Sequence, residues 1–103
     1  MPTKYRSRTD IIAEILKSAN GRQVTKTRML YSTFLSHAQL KGYIAVMIQN
    51  GLLEYQKLTV TYRTTEKGIR FLDLYEKMEE IAAETELPYL KQLTNNPTAG
   101  DRV

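Results

Sequence analysis

The side chains that could do covalent or metal chemistry are few, and they do not form a catalytic set. His37 is the single histidine, cysteine is absent, and Glu80 and Glu84 lie one helical turn apart near the end of the chain. Catalysis needs a nucleophile, a base and a group that orients the base, and a metal needs several ligands at suitable spacing. The sequence offers neither combination. We therefore expect a protein that is not an enzyme and binds no metal or cofactor.

Lysine and arginine are distributed in a way that suggests binding of a polyanion. Residues 1–70 hold 12 Lys or Arg and 4 Asp or Glu, whereas residues 71–103 hold 3 and 7. A basic surface neutralises phosphates and releases counterions, which supplies most of the non-specific affinity for nucleic acid. The alternative is that these charges only keep the surface solvated.

The segment 36–50, SHAQLKGYIAVMIQN, is the element that would make such a contact. Ser36 and Gln39 have the spacing of a capping box, and an apolar stripe follows it at Leu40, Ile44, Met47 and Ile48. The opposite face carries short or amide side chains and no acid, at Ala38, Gln39, Gly42, Ala45, Val46 and Gln49. Such a face allows a DNA groove to approach the backbone closely. For Gly42 the alternative is close packing against a neighbouring helix.

Two shorter helices are predicted before this segment. The first runs from about Arg8 to Ala19, with Ser7 or Thr9 as N-cap, and its buried stripe is Ile11, Ile12, Ile15, Leu16 and Ala19. We expect Glu14 to pair with Lys17 on its outer side. The basic lead-in of Lys4, Arg6 and Arg8 could follow a phosphate backbone or form a solvated arm, and we favour the solvated arm.

The second helix is predicted from Lys26 to Ser32, after Thr25 as N-cap. Lys26, Thr27 and Arg28 lie in its first turn, where exposed N–H groups favour an anion. The short connection to Ser36 is typical of a helix-turn-helix.

After Gly51 the apolar period changes to two, which predicts strands over Leu52 to Lys57 and Leu58 to Thr64. This hairpin places Lys57 near its tip and Arg63 on an outer face, where a wing can contact a DNA backbone. The alternative is that both charges only keep an exposed edge soluble.

The last helix is predicted from Thr65, as N-cap, to about Glu86, with Pro88 beyond its end. About 21 residues span roughly 30 Å, which is more than a small winged domain can cover. We therefore expect a homodimer whose contact residues are Phe71, Leu74, Tyr75, Met78, Ile81, Ala82 and Thr85. The alternative is that this region folds back on its own core with Leu87, Tyr89, Leu90 and Leu93.

Three regions follow from these patterns: a winged domain over residues 1–68, a dimerisation helix with a short extension over residues 69–93, and a disordered tail over residues 94–103. The longest apolar run is too short to cross a bilayer, and the N-terminus has no apolar signal-like stretch. We expect no membrane partner and a cytoplasmic protein, nucleoid-associated if the source is prokaryotic.

The element order resembles that of a known family, and so do the segments MLYSTFLSHAQLKGYIAVMIQNGLLEY and YRTTEKGIRFL. These resemble archaeal winged-helix regulators and small chromatin-associated proteins that dimerise through a C-terminal coiled-coil helix. The resemblance implies that the third helix enters the major groove and that the wing touches the backbone. Two features depart from the family: the hairpin tip has no glycine, and Gly42 and Ala45 replace longer polar residues. Gln39 and Gln49 then remain to address adenine edges.

The sequence thus predicts a mostly α fold with a small β-hairpin, a winged helix-turn-helix with a long C-terminal coiled-coil-type helix. Its expected function is to bind double-stranded DNA as a transcriptional regulator or an architectural chromatin protein. His37 would be a packing residue or a phosphate contact. The alternative is a winged helix that binds a protein and not DNA. The predicted DNA-binding residues are Lys26, Thr27, Arg28, Ser36, His37, Gln39, Lys41, Gly42, Gln49, Lys57 and Arg63.

Overall fold

Four helices and one hairpin follow one another in the computed structural model, which describes residues 6–84. They are α1 (Arg8–Ser18), α2 (Lys26–Thr33), α3 (His37–Gln49), β1 (Leu53–Gln56), β2 (Thr61–Thr64) and α4 (Glu66–Glu84). This order confirms the predicted fold class, a winged helix-turn-helix with a long C-terminal helix. The predicted helix end at Glu86, Thr85 of the dimer face, the residues proposed to fold back and the tail 94–103 lie outside the described residues.

α1 begins at a capping box formed by Ser7 and Asp10, of which the sequence pattern predicted only the N-cap. Ser7 is the N-cap: its hydroxyl accepts from the Asp10 backbone N–H at 3.1 Å, and the Asp10 carboxylate accepts from the Ser7 N–H at 3.0 Å. Two of the orphan donors of the first turn are thereby satisfied. Thr9, the other predicted cap, lies inside the helix.

The charged side chains around α1 pair differently from the prediction. Glu14 accepts from Arg6 at 2.6 Å, and the same Arg6 nitrogen donates to the Thr33 carbonyl at 2.7 Å. Lys17 faces Glu76 of α4 at 3.9 Å. The predicted Glu14–Lys17 pair is therefore wrong. The predicted solvated arm is wrong for Arg6, which is docked between α1 and α2. Arg6 has two acceptors within reach there, whereas an i,i+3 pair on a helix surface gains only a few tenths of a kcal/mol.

The core lies where α1, α2, α3 and β1 converge. Its fully buried apolar side chains are Ile15, Leu16, Met29, Leu40, Met47 and Leu53. Ile44 is also buried, but Ile48 is 38% exposed. The predicted stripe of α3 is thus narrower than expected, because Ile48 lies at its edge one residue before the helix ends.

The hairpin is shorter than predicted and is extended by one residue from another part of the chain. β1 and β2 are antiparallel, with Tyr55 opposite Tyr62, and Val24 forms an isolated bridge to Tyr62 with N–H to O distances of 2.9 and 2.7 Å. Residues 57–60 form the turn. The prediction that the second strand starts at Leu58 is wrong, because Val60 adopts a φ of 54° that ends regular pairing.

Gly68 allows the first turn of α4 to pack at very short range against the base of the hairpin. A Cβ at this position would collide with the Leu52 carbonyl oxygen and would lie 2.6 Å from Thr64 Cγ2. Thr65 caps α4, because its hydroxyl accepts from the Gly68 N–H at 3.0 Å, and the Thr64 hydroxyl donates to the Leu16 carbonyl at 2.8 Å. α1, the hairpin and α4 are therefore locked together where the winged domain passes into the long helix.

Candidate nucleic-acid interface

The N-terminus of α2 presents the predicted cationic turn. Thr25 is the N-cap, and its hydroxyl accepts from the Arg28 N–H at 3.2 Å. Thr27 and Arg28 are exposed and Lys26 is half-buried. Neither cation forms an ion pair with any residue between 6 and 84, so both charges remain available to an anion.

The turn between α2 and α3 consists of residues 34–36 and depends on a left-handed residue. Phe34 has a φ of 58°, is 85% exposed, and donates its N–H to the Leu30 carbonyl at 3.1 Å. Leu35 follows it into the core at 7% exposure. The short, anchored turn fixes how α3 is presented relative to α2.

The predicted capping box of α3 is confirmed, and it restricts one predicted base contact. The Ser36 hydroxyl accepts from the Gln39 N–H at 3.1 Å, and Gln39 Oε1 accepts from the Ser36 N–H at 3.0 Å. Pairing with an adenine edge uses both the oxygen and the nitrogen of an amide. Gln39 would have to leave the box to make that pair, whereas Gln49 is exposed and has no such engagement in the described structure.

Gly42 lies on an open face of α3. A Cβ built on it meets no atom within 4 Å, so the alternative of close packing against a neighbouring helix of this chain is wrong. Ala38, Ala45, Gln49 and Lys41 are likewise exposed, and Val46 is 53% exposed. No residue between 6 and 84 covers this small-residue face.

One edge of this face borders a groove between α1 and α3. Its volume is about 500 Å³. Its lining is largely apolar and consists of Arg8, Ile12, Ala38, Gln39, Gly42, Tyr43, Val46 and Met47. A groove of this kind is the feature of the face that suits a protein side chain better than a phosphate.

The wing carries Lys57 at its exposed tip and Arg63 on its outer face, as predicted. Arg63 is partnered: its Nη2 lies 3.3 Å from Glu54 Oε2, which also accepts from the Gln56 amide at 3.0 Å. Burial, and the neighbouring Tyr55, raise the pKa of Tyr62 on the inner side. Of the two wing cations, Lys57 is therefore the more available to a phosphate, because it forms no ion pair with a described residue.

Acidic groups are scarce across the whole of this surface. In residues 15–65 the single carboxylate is Glu54, against seven cations: Lys17, Arg22, Lys26, Arg28, Lys41, Lys57 and Arg63. His37 is exposed in the first turn of α3, so of its two predicted roles the packing role does not fit. Lys17 lies near Glu76 and Arg63 near Glu54, so the remaining polar groups of residues 15–65 are mostly cations, hydroxyls and amides.

The residues of α4 that were predicted to dimerise differ in how far they are exposed. Phe71 and Tyr75 are half-buried against the core of their own chain, and Ala82 is half-buried. Leu74, Met78 and Ile81 are 69%, 50% and 57% exposed. These three side chains follow the spacing of a coiled-coil seam.

Two features went unrecognised in the sequence. The Tyr75 hydroxyl donates to Asp10 Oδ1 at 2.5 Å, which ties the start of α1 to α4. At the wing tip, Leu58 is 100% exposed and Val60 is 60% exposed. The lack of Asn-Gly or Asp-Gly at the tip was a signal for the second feature, because tight two-residue turns favour those pairs and a tip without them favours a longer turn. The partner of Asp10 is 65 residues away along the chain and left no local signal.

The fold agrees with comparisons to known proteins. A sequence model of a winged helix-turn-helix family matches residues 5–83. The chain belongs to this family. The winged helix-turn-helix protein is 31% identical over 81 residues to an uncharacterized protein of Methanocaldococcus jannaschii, an alignment that covers 79% of this chain and 36% of that protein. It therefore spans about a third of the length of that relative.

A solved structure shares the same fold. The crystal structure of Sso10a-2, a DNA-binding protein from Sulfolobus solfataricus, superposes on this winged helix-turn-helix protein with a TM-score of 0.71 at 20% identity. The match covers 84% of this chain and 92% of that one. The predicted resemblance to an archaeal winged helix-turn-helix family is thus confirmed.

Other kinds of site find little support between residues 6 and 84. No helix in that range is long and apolar enough to span a membrane. No group of three or more His, Asp or Glu side chains within it could hold a metal ion.

Proposed function

We propose that this protein binds double-stranded DNA through α3, the N-terminus of α2 and the wing. The observation that carries the proposal is the open, nearly acid-free surface of residues 15–65, with Glu54 as its one carboxylate. A polyanion gains free energy there by releasing counterions. The family membership and the DNA-binding protein with the same fold support this choice of polyanion.

In the proposed complex α3 enters the major groove with its small-residue face. The absence of any atom within 4 Å of a Cβ on Gly42 leaves room for bases or sugars to approach the helix backbone. Lys26, Arg28, Lys57 and Arg63 contact phosphates, which set the register and carry little sequence information. Glu54 partly neutralises the charge of Arg63, so we assign Arg63 the weakest of these phosphate contacts.

Base-specific contacts are few in this arrangement. Gln49 has an available amide, while the Gln39 oxygen holds the Ser36 N–H. A close fit of small residues therefore contributes more than hydrogen-bonded base readout. This balance suits an architectural chromatin protein as well as a regulator, and selection of bound sequences from a random duplex pool separates them. A tight consensus indicates a regulator, and no consensus indicates an architectural role.

We propose further that two copies associate through α4. Leu74, Met78 and Ile81 form an exposed apolar seam along a helix of 19 described residues, which is about 28 Å long. Two such helices bury their seams against each other as in a coiled coil. The dimer would carry two basic heads spaced by acidic helices.

Charge reversal on the proposed interface tests DNA binding. We expect Lys41→Glu and Lys26→Glu each to weaken binding to a short duplex at least tenfold in a gel-shift titration, because each variant replaces a cation of the proposed interface by an acid that the DNA repels. Lys77→Glu makes the same change of charge on exposed α4 and is the matched control, with a much smaller effect expected.

The dependence of DNA affinity on salt concentration is a second test of the same contacts. Affinity of the wild-type protein should fall steeply as salt is raised, with a slope reduced by about one in Lys41→Glu. Affinity that is unaffected by salt, or equal in Lys41→Glu and Lys77→Glu, would contradict the proposed interface.

The groove between α1 and α3 favours a second candidate, a winged helix that docks a protein. Its apolar lining includes Ile12, Tyr43 and Val46. In that case Lys41→Glu and Lys26→Glu leave DNA affinity unchanged. The same titration therefore discriminates between the two functions.

A further inference from the structure

The tip of the wing is apolar where a contact to phosphates alone would favour polar groups. Leu58 is 100% exposed and Val60 is 60% exposed, while Lys57 and Thr59 stand beside them. Exposing a whole leucine side chain forgoes roughly 1.5 to 3 kcal/mol of burial. The hairpin thus presents a large apolar side chain at its furthest point from the core.

Hydrogen bonds hold the tip in shape against backbone strain at Val60. Val60 has a φ of 54°, which is costly for a β-branched residue. The Thr59 and Thr61 hydroxyls lie 2.6 Å apart and 3.3 and 3.2 Å from Gln23 Oε1, so one hydroxyl donates to the other, and the hydroxyl that accepts donates to the Gln23 oxygen. The strand bridge at Val24 lies next to this network. Because the turn is braced in this way, placing Leu58 against a partner costs little additional ordering.

The charges around the tip fit a nucleic acid. Lys57 adjoins Leu58, and Arg22 precedes the bracing Gln23; no carboxylate occurs between Tyr55 and Arg63. The tip of this wing therefore combines an apolar point with flanking cations. An acidic polymer with an apolar recess between its charged edges matches that combination.

The reach of the hairpin selects the minor groove. β1 has four residues at about 3.3 Å each and begins four residues after the last residue of α3, so the tip lies about 13 Å along the hairpin from a base close to that helix. A major groove is about 12 Å wide, so a hairpin leaving a helix in that groove extends over the adjacent minor groove. The minor groove, at about 6 Å, admits a side chain but not a two-stranded hairpin.

We infer that Leu58 is an apolar wedge that enters the minor groove beside the major groove occupied by α3, and opens a base step there. This inference rests on the proposed DNA binding and adds a second, non-ionic contact to it. Apolar side chains inserted from the minor groove partly unstack a step and bend the duplex toward the major groove. Flexible pyrimidine–purine steps would be preferred, because they deform at least cost.

The test compares Leu58→Ala with Leu58→Met and Lys57→Ala, using a short duplex with fluorophores at its two ends and a 2-aminopurine within the site. The wild-type protein should shorten the end-to-end distance and brighten the 2-aminopurine, as bending and unstacking require. We expect Leu58→Ala to lose both signals and about tenfold in affinity, with an unchanged salt slope. Leu58→Met should retain them, since it keeps an apolar side chain of similar volume.

Lys57→Ala provides the opposite pattern on the neighbouring residue. Its salt slope should fall by about one while the bend is kept, because it removes a phosphate contact and leaves the wedge. Equal melting temperatures of the wild-type protein and Leu58→Ala will show that the exposed substitution has not unfolded the hairpin.

Several results would overturn the inference. If Leu58→Ala bends the duplex as much as the wild-type protein does, the wedge is ruled out and the proposed DNA binding is unaffected. A lower mass of Leu58→Ala than of the wild-type protein in sedimentation would show that the tip contacts a second copy of the chain. Absence of any DNA binding by the wild-type protein would overturn both this inference and the proposed function.

Discussion

At the scale of single residues, two glycines on helices have opposite reasons to be glycine. Gly68 lies where a Cβ would overlap the Leu52 carbonyl oxygen and crowd Thr64 Cγ2, whereas a Cβ on Gly42 meets nothing within 4 Å. Backbone cannot yield cheaply at Gly68, so its role is packing inside the chain. At Gly42 the described residues leave open space, which in the proposed complex is filled by the DNA groove.

These glycines make a paired prediction about stability. We expect Gly68→Ala to lower the free energy of unfolding by about 2 kcal/mol, because the overlap outweighs the helix propensity gained. Gly42→Ala should raise it by up to about 1 kcal/mol, since only the propensity changes. Urea denaturation of both variants measures the difference, and destabilisation by Gly42→Ala would show that the face is covered within the chain.

At the scale of elements, the contact between Asp10 and Tyr75 joins α1 to α4. Asp10 is 7% exposed and both caps α1 and accepts from the Tyr75 hydroxyl. Burial, the hydrogen bond to Asp10 and nearby carboxylates raise the pKa of Tyr75 well above its ordinary value of 10.0. The folded state thus favours the protonated phenol more than the unfolded state does.

This difference predicts a loss of stability in alkali. A raised pKa in the folded state contributes stability that is complete below about pH 10 and is lost as the pH rises beyond it. The melting temperature of the wild-type protein should therefore fall more between about pH 9 and pH 11 than that of Tyr75→Phe. Tyr31→Phe removes a hydroxyl from a side chain that is 75% exposed and is the control, with a slope expected to equal that of the wild type. An equal slope in Tyr75→Phe would contradict the assignment.

At the scale of the whole molecule, the exposed apolar seam of α4 bears on the proposed dimer. α4 buries only Gly68 and Leu72 fully and leaves Leu74 and Met78 exposed. A second copy would cover those side chains and place two heads on one duplex, or on two. Dimerisation and DNA affinity are then coupled through effective concentration.

Sedimentation equilibrium tests this assembly. The wild-type protein should have twice the chain mass of 11.9 kDa at micromolar concentration, and Leu74→Lys should reduce it toward a single chain, because a buried lysine on the seam is costly. Asp73→Lys puts the same residue about 100° around the helix, off the seam, and should remain a dimer. A monomeric wild-type protein would rule out the dimer.

The sequence by itself determined the elements of this protein and their order. Capping boxes, apolar periods and turn residues act over three to seven positions, so the starts of α1, α2, α3 and α4 and the position of the wing could be predicted from neighbouring residues. The family resemblance rested on the same local patterns. The charge asymmetry also needed no coordinates, because it is a property of composition along the chain.

Only the tertiary structure decided which partners these side chains have. Arg6 bridges Glu14 and Thr33, Asp10 meets Tyr75, and Gly68 admits the Leu52 carbonyl, because each contact joins residues that chain folding, and not sequence spacing, brings together. The same holds for exposure. The pattern of alternation placed Leu58 and Val60 in a strand, and the left-handed Val60 placed them at an open tip instead. Exposure depends on what covers a side chain, and a periodic pattern does not contain that information.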